Sequence, residues 1–311
     1  MVARAVAITA PGGLEVVTVI DRPVREPEPG EVRIAVAAAA VNPTDLYLRV
    51  HGTDAAPPPW TPGMDAAGTI EAVGDGVDRL SVGDEVMAAV LPRRPEGGAQ
   101  AELVVVPAAS VVAIPDGATL VEASTLPMNG LTALRALELL GLAAGKTLAV
   151  TGGAGLLASY AIPLAKEAGL RVLADARPSD EALLAGFGAD VIVARGEGFV
   201  DAVREAAPGG VDGLIDTALL HDAAVGAVRD GGRIAAVRDW RPSATPRGIV
   251  VEEVSVVETF ERTAWLQELR RLASAGRLAL RVSGEYPPER AAEAQRVTGA
   301  GGLRGRAVII F

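Results

Sequence analysis

The stretch TLAVTGGAGLLASYAIPLAKEA, residues 147–168, concentrates the chemistry of this chain. An apolar run at 148–150 leads into Gly153-Ala154-Gly155-Leu156-Leu157-Ala158. Apolar residues at helical spacing follow: Leu157, Tyr160, Ala161, Leu164, Ala165 and Ala168. Strand, tight turn and helix, with G-x-G-x-x-A across the turn, are what a pyrophosphate site needs. Gly153 lets the chain turn sharply. Gly155 has no Cβ, so a diphosphate can come up to the backbone. Ala158 is small enough for the helix to lie close to the strand. The first N–H groups of a helix lack partners and carry partial positive charge, which suits an anion at 154–157. Residues 171–175 read as a second strand at the spacing of a βαβ unit. Without that context the same letters would be an ordinary glycine-rich turn.

The end of this second strand chooses between dinucleotides. An acidic residue there bonds the ribose 2′-OH of NAD, whereas arginine accepts the 2′-phosphate of NADP. The chain reads Arg171-Val172-Leu173-Ala174-Asp175-Ala176-Arg177-Pro178-Ser179. Counted from Gly169, Arg177 falls at the selecting position, and Pro178 keeps it extended. Arg177 can bind a phosphate bidentately, with Ser179 as a further donor. That points to NADPH. Asp175 lies two residues earlier on the same face, and NADH is the alternative if it is the tip residue.

Other chemistry is bounded by what is missing. The 311 residues contain no cysteine and only two histidines, His51 and His221, which excludes disulfides, thiolate nucleophiles and cysteine-ligated metals. Net charge is −10, and no basic run or aromatic–basic interleaving appears, so nucleic acid is not an expected partner. No apolar stretch reaches membrane-spanning length, and the N-terminus reads as a first strand rather than a signal peptide, so a cytoplasmic protein is expected.

The elements that must position these residues fall into two patterns. Up to about residue 118 the chain reads as strands and turns, with runs at 32–41, 68–73, 84–90, 101–106 and 111–114 and a proline-rich loop at 54–63. Residues 120–140 read as one helix. From 147 to 256 strands and helices alternate, which argues for a parallel, doubly wound sheet. A helix at 261–275 and a strand at 307–311 are too little for a third domain. The expectation is therefore a β-rich domain, 1–118 with 261–311, and a nucleotide-binding domain at 119–260.

Six segments in order carry a resemblance: AAAVNPTDLYLRVHG (38–52), PGMDAAGTIEAVGDGV (62–77), VGDEV (82–86), GGAQAELVVVP (97–107), GLTALRAL (130–137) and the glycine turn. The chain resembles the medium-chain dehydrogenase/reductase superfamily, and within it the zinc-independent quinone oxidoreductases. N-P-x-D followed by P-G-x-D-x-A-G carries most of that specificity. The resemblance implies a Rossmann domain beside a GroES-like β-rich domain. It also implies hydride transfer from NADPH to a quinone or similar conjugated carbonyl, the close variant being an enone or enoyl reductase of secondary metabolism. A non-catalytic NADPH-binding redox sensor is the reading of another class.

Compared with the zinc alcohol dehydrogenases of the superfamily, the ligand positions correspond to Asn42, Met64 and Met128, none a good zinc ligand, so a metal-free enzyme is expected. The resemblance further places Asn42, Thr44 and Tyr47 at the nicotinamide. There Asn42 and Tyr47 would donate to an acceptor oxygen and Thr44 would match a proton-relay hydroxyl; as alternatives, Asn42 and Thr44 would serve the turn and Tyr47 the core. Thr132 would contact the ring from the helix behind it or else pack in the core. Leu156 stands where these reductases carry glycine and is expected to narrow the pyrophosphate approach. Loops 54–61 and 238–248 would form the substrate pocket. Two copies would pair through the apolar run at 248–257, whose edge would otherwise expose unpaired backbone.

Overall fold

The computed structural model describes all residues except 239, 241 and 243–245, so part of the expected pocket loop 238–248 lies outside the described residues. The chain divides into two compact units. Unit 1 is Met1–Met128 with Phe260–Gly276 and Leu280–Phe311, and unit 2 is Asn129–Thr259 with Arg277–Ala279.

Seven strands open unit 1: β1 (Val2–Ile8), β2 (Val17–Pro23), β3 (Glu31–Ala40), β4 (Asp65–Val73), β5 (Glu85–Ala89), β6 (Leu103–Pro107) and β7 (Val111–Ala113). Helix α1 (Pro43–His51) interrupts them, α2 (Leu120–Ala123) follows them, and α3 (Pro127–Leu140) carries the chain onward. The expected single helix over 120–140 is therefore two helices. The break falls at 124–126, immediately before Pro127, where proline disfavours helical backbone in the residue preceding it.

Unit 2 alternates β8 (Thr147–Val150), α4 (Leu156–Glu167), β9 (Arg171–Ala176), α5 (Glu181–Phe187), β10 (Val191–Ala194), α6 (Phe199–Ala206), β11 (Val211–Asp216), β12 (Val228–Ala236) and β13 (Val250–Glu253). The chain then adds α7 (Thr263–Ser274), β14 (Val282–Tyr286), α8 (Ala291–Ala300) and β15 (Arg306–Ile310) to unit 1.

The sheet of unit 2 is wholly parallel, in the order β10-β9-β8-β11-β12-β13. Strand order reverses between β8 and β11. Ligands of doubly wound sheets bind beyond the carboxyl ends of the strands at that switch point. Its core is apolar on both faces, with Ala149, Leu173, Leu214 and Ile234 from strands packed against Phe199 and Val203 of α6. Continuous apolar strands are what a sheet covered on both sides requires. β13 is the outer strand, with Val250 43% exposed.

Unit 1 holds a seven-stranded sheet, β14-β15-β3-β4-β5-β7, with β6 also paired to β3, and a separate β1–β2 hairpin. Val32, Ile34 and Val36 of β3 share one core cluster with Ile70, Val86, Val104 and Val111. The apolar run 32–41, with Ala38, Ala39 and Ala40 inside it, is thus a strand, buried because it is paired on both edges.

Candidate active site

The glycine turn of unit 2 lies at the carboxyl end of β8, beside the switch point. Gly155 is the N-cap of α4 in extended conformation. A Cβ built at Gly155 meets only the Gly152 carbonyl oxygen, at 3.1 Å. At Gly153 a Cβ would lie 2.6 Å from Leu184 Cδ2 and 2.8 Å from the Asp175 carbonyl oxygen. Gly153 is therefore needed for packing of the turn on β9, and Gly155 keeps open the space in front of the helix. The first turn of α4, from Leu156, offers N–H groups with no partner inside the helix. Leu156 itself is 2% exposed. Its bulk is turned into the interior, so the narrowing expected from its size does not follow from its position. Ala154 and Ala158 are buried and Leu157 is half-buried. These features fit a dinucleotide diphosphate.

Two staples hold this end of the sheet. Thr151 Oγ1 donates to Asp216 Oδ1 at 2.7 Å, joining the ends of β8 and β11. Asp216 also accepts from the N–H groups of Leu220 and His221, at 3.0 and 2.8 Å. On the other side the Gly153 N–H donates to Asp175 Oδ1 at 3.3 Å. The Asp175 side chain is only 2% exposed, and Arg195 Nε approaches its Oδ2 at 3.9 Å. Burial raises the Asp175 carboxyl, while the turn N–H groups and Arg195 oppose that rise.

Beyond this carboxylate two arginines follow the strand ends. Ala176 of β9 and Ala194 of β10 are register partners, so Arg177 and Arg195 are the next residues of two neighbouring strands. Arg177 is exposed, as is Ser179, and the Arg195 side chain is 46% exposed. Motif reading misses Arg195 because its relevance comes from the β9–β10 register and not from spacing along the chain. Thr132 is 4% exposed within α3.

In unit 1 the three residues expected at the acceptor separate. Thr44 and Tyr47 lie on α1 at i, i+3 and so share one face, with Tyr47 46% exposed. His51 continues that face, with its ring centroid 4.3 Å from that of Tyr47. Asn42 does not join them. It is fully buried, its Nδ2 donating to Asp65 Oδ2 at 2.6 Å and its Oδ1 accepting from Arg306 Nε at 2.8 Å. As the N-cap of α1 it also donates its backbone N–H to Asp45 Oδ2 at 2.8 Å. The sequence expectation of an amide facing the acceptor thus meets an amide engaged inside the unit. Met64 and Met128 are buried thioethers, so with Asn42 they do not make a zinc-binding set. Among the described residues no cluster of three or more histidines or carboxylates could hold a metal ion.

Asp45 and Asp65 are both buried. Asp45 accepts from Asn42, from the Gly63 N–H at 2.9 Å and from Gln100 Nε2 at 3.1 Å. Asp65 accepts from Asn42 and from the Met128 N–H at 2.6 Å. Burial pushes the carboxyls up, Asp45 to about 6 and Asp65 to about 7, against the pull of these donors and of Arg306. A carboxyl raised on folding binds its proton more tightly in the native state. Its contribution is therefore complete below the unfolded value near 4 and is lost as pH rises through the folded value. Stability is expected to fall between about pH 4 and pH 7, by an amount on the order of a few kcal/mol. Urea midpoints at pH 5 and pH 8 check this. A higher midpoint at pH 8 would contradict it.

Two family matches together cover parts of both units. The alcohol dehydrogenase GroES-like domain family matches residues 28–116, and the zinc-binding dehydrogenase family matches 187–309. A 2-methylene-furan-3-one reductase from Solanum lycopersicum is 32% identical over 227 residues, 70% of this chain and 56% of that protein. The chain thus spans little more than half the length of that relative. Quinone oxidoreductase from Lama guanicoe is 28% identical over 99% of this chain and 97% of its own. The native structure of a mycobacterial protein complexed with NADPH superposes with a TM-score of 0.86 at 27% identity, covering 99% of this chain and 100% of that one. The parallel sheet with its glycine turn, the GroES-like unit and these matches over both units agree: the chain belongs to the medium-chain dehydrogenase/reductase superfamily, as a relative of its quinone oxidoreductases.

Proposed function

We propose that this protein is an NADPH-dependent oxidoreductase that delivers hydride to a quinone or a similar conjugated carbonyl without a metal. The observation that carries the reading is the open cradle at Gly155 on the switch point of a parallel sheet. In this reading the first turn of α4 holds the diphosphate. The bound nicotinamide would supply the hydride. The outer stripe of α1 takes up the charge that develops on the acceptor oxygen, Thr44 and Tyr47 presenting hydroxyl donors to it. An acceptor already electrophilic by conjugation needs no polarising cation, which suits the lack of zinc-binding side chains at Asn42, Met64 and Met128. The assay is NADPH oxidation followed with a quinone and with an enone. Binding of NADPH with no turnover of either would leave the sensor reading in place of the enzyme.

The cofactor preference rests on three side chains. Asp175 is buried beneath the turn and faces Arg195, which favours a structural role over contact with a ribose. Arg177 and Arg195 stand exposed at adjacent strand ends, a pair of cations suited to a 2′-phosphate. One charge-assisted contact is worth about 1.5–3 kcal/mol, so Arg177→Ala should weaken NADPH binding about tenfold to a hundredfold. NADH, lacking the phosphate, should bind unchanged. Dissociation constants for both cofactors decide it. Equal losses would make Arg177 structural. No loss for either, with tighter binding of NADH in the parent, would shift the preference to NADH through Asp175.

A further inference from the structure

We propose that Asp65 is a positioning residue for the acceptor-facing stripe of α1, holding Thr44 and Tyr47 in place through Asn42. This rests on the reading of Thr44 and Tyr47 given above. Asp65 is fully buried, so it cannot touch a substrate and acts only through what it holds. Its two oxygens are both acceptors. Oδ2 receives the Asn42 amide and Oδ1 receives the Met128 N–H, each at 2.6 Å. It thereby ties the start of β4 to the residue that begins α1 and to the first turn of α3. Arg306 on β15 completes the crosspiece by donating to the other end of the Asn42 amide.

α1 has only nine residues, and Thr44 lies in its first turn. A helix that short cannot average out a displaced start, so a shift at Asn42 passes directly to Thr44 and Tyr47. Asp45, one residue beyond Thr44, faces inward and accepts from Gly63 and Gln100 as well as from the Asn42 N–H. Further along, Arg49 donates to Gln295 and to the Gly12 carbonyl, so releasing Asn42 loosens the first turn, which carries Thr44, while the far end of the helix stays held. The charged groups bearing on Asp65 are Arg306 and Asp45.

Two oxygens are needed at position 65 because both of its contacts are donors. The change Asp65→Asn leaves one acceptor there and turns an NH2 towards a donor. The exchange of Asn42→Asp together with Asp65→Asn restores the three contacts named here, to Met128, between positions 42 and 65, and to Arg306. The amide at position 65 would accept from the Met128 N–H and donate to the carboxylate at position 42. That carboxylate would still accept from Arg306. The charge moves across one hydrogen bond and the pattern is kept.

Misplacing a reacting group by about 1 Å costs about a hundredfold in rate, so Asp65→Asn should lower kcat for the quinone or enone about 10- to 100-fold. NADPH dissociation constants, set by residues of unit 2, should stay unchanged, and the exchanged pair should recover kcat. Parent turnover with an unimpaired Asp65→Asn overturns the proposal alone. A parent without turnover on any acceptor overturns the functional reading and this proposal with it. If Asp65→Asn does not fold, the exchanged pair decides: folded with parental kcat it supports the proposal, and unfolded or inactive it overturns it.

Discussion

Gly155→Val is expected to abolish dinucleotide binding while the protein stays folded. The backbone at Gly155, φ −69° and ψ 163°, is extended and open to any residue. The added Cβ touches one carbonyl oxygen at 3.1 Å, which a shift of a few tenths of an ångström relieves. The branched methyls then occupy the space in front of the α4 N-terminus. A diphosphate kept from those N–H groups loses several charge-assisted hydrogen bonds, so affinity should fall by more than about a hundredfold. NADPH fluorescence titration measures the loss, and a thermal melt shows whether the fold persists. Retained affinity would remove the diphosphate from this turn. Gly153→Val would be a poorer test, because its Cβ would strike Leu184 and the Asp175 backbone and disturb β9 itself.

Gly68→Ala should be among the most damaging small substitutions in unit 1. Gly68 is the last residue of P-G-x-D-x-A-G and pairs with Val36 of β3, where the β3–β4 register slips between Val36 and Ala38. A Cβ there would overlap the Ala35 carbonyl oxygen and lie 2.8 Å from the Ala35 carbonyl carbon and 2.9 Å from Val36 Cα. All three are main-chain atoms in the middle of a paired strand, so no side chain can yield. Insertion of a methyl into a tight core costs about 1–3 kcal/mol, and main-chain overlap should exceed the upper end of that range. Denaturant unfolding of Gly68→Ala against the parent measures it. A loss below about 1 kcal/mol would mean that the two strands separate easily here.

What was legible in the sequence follows from how local each signal is. The turn at 153–158 was readable because strand, glycines and helix are consecutive. The parallel sheet was readable because its buried strands are continuous apolar runs. The burial of Asn42 was not, because its partners Asp65 and Arg306 lie 23 and 264 residues away. Arg195 escaped for the same reason. Within the stretch 147–256, where alternating strands and helices are expected, His221–Ala227 is a 3-10 stretch. Leu219 and His221 both have positive φ there, and Asp216 holds the N–H groups of Leu220 and His221. A carboxylate that captures the segment's first N–H groups sets its backbone, a tertiary effect that residue periodicity does not carry.

The antiparallel pairing of β15 with the end of β3 has a consequence for synthesis on the ribosome. Ala38, Ala39 and Ala40 pair with Ile310, Ile309 and Val308. Those partners are translated about 270 residues later, roughly 15–50 s at ordinary elongation rates. Unit 2, residues 129–259, has been synthesised by then. An apolar, small-residue edge therefore waits unpaired while the whole nucleotide-binding unit is made. Such an edge is a template for pairing with other chains. Nascent chains paused between 260 and 300 should be the ones that chaperones must hold, and release of the last strand should end that need.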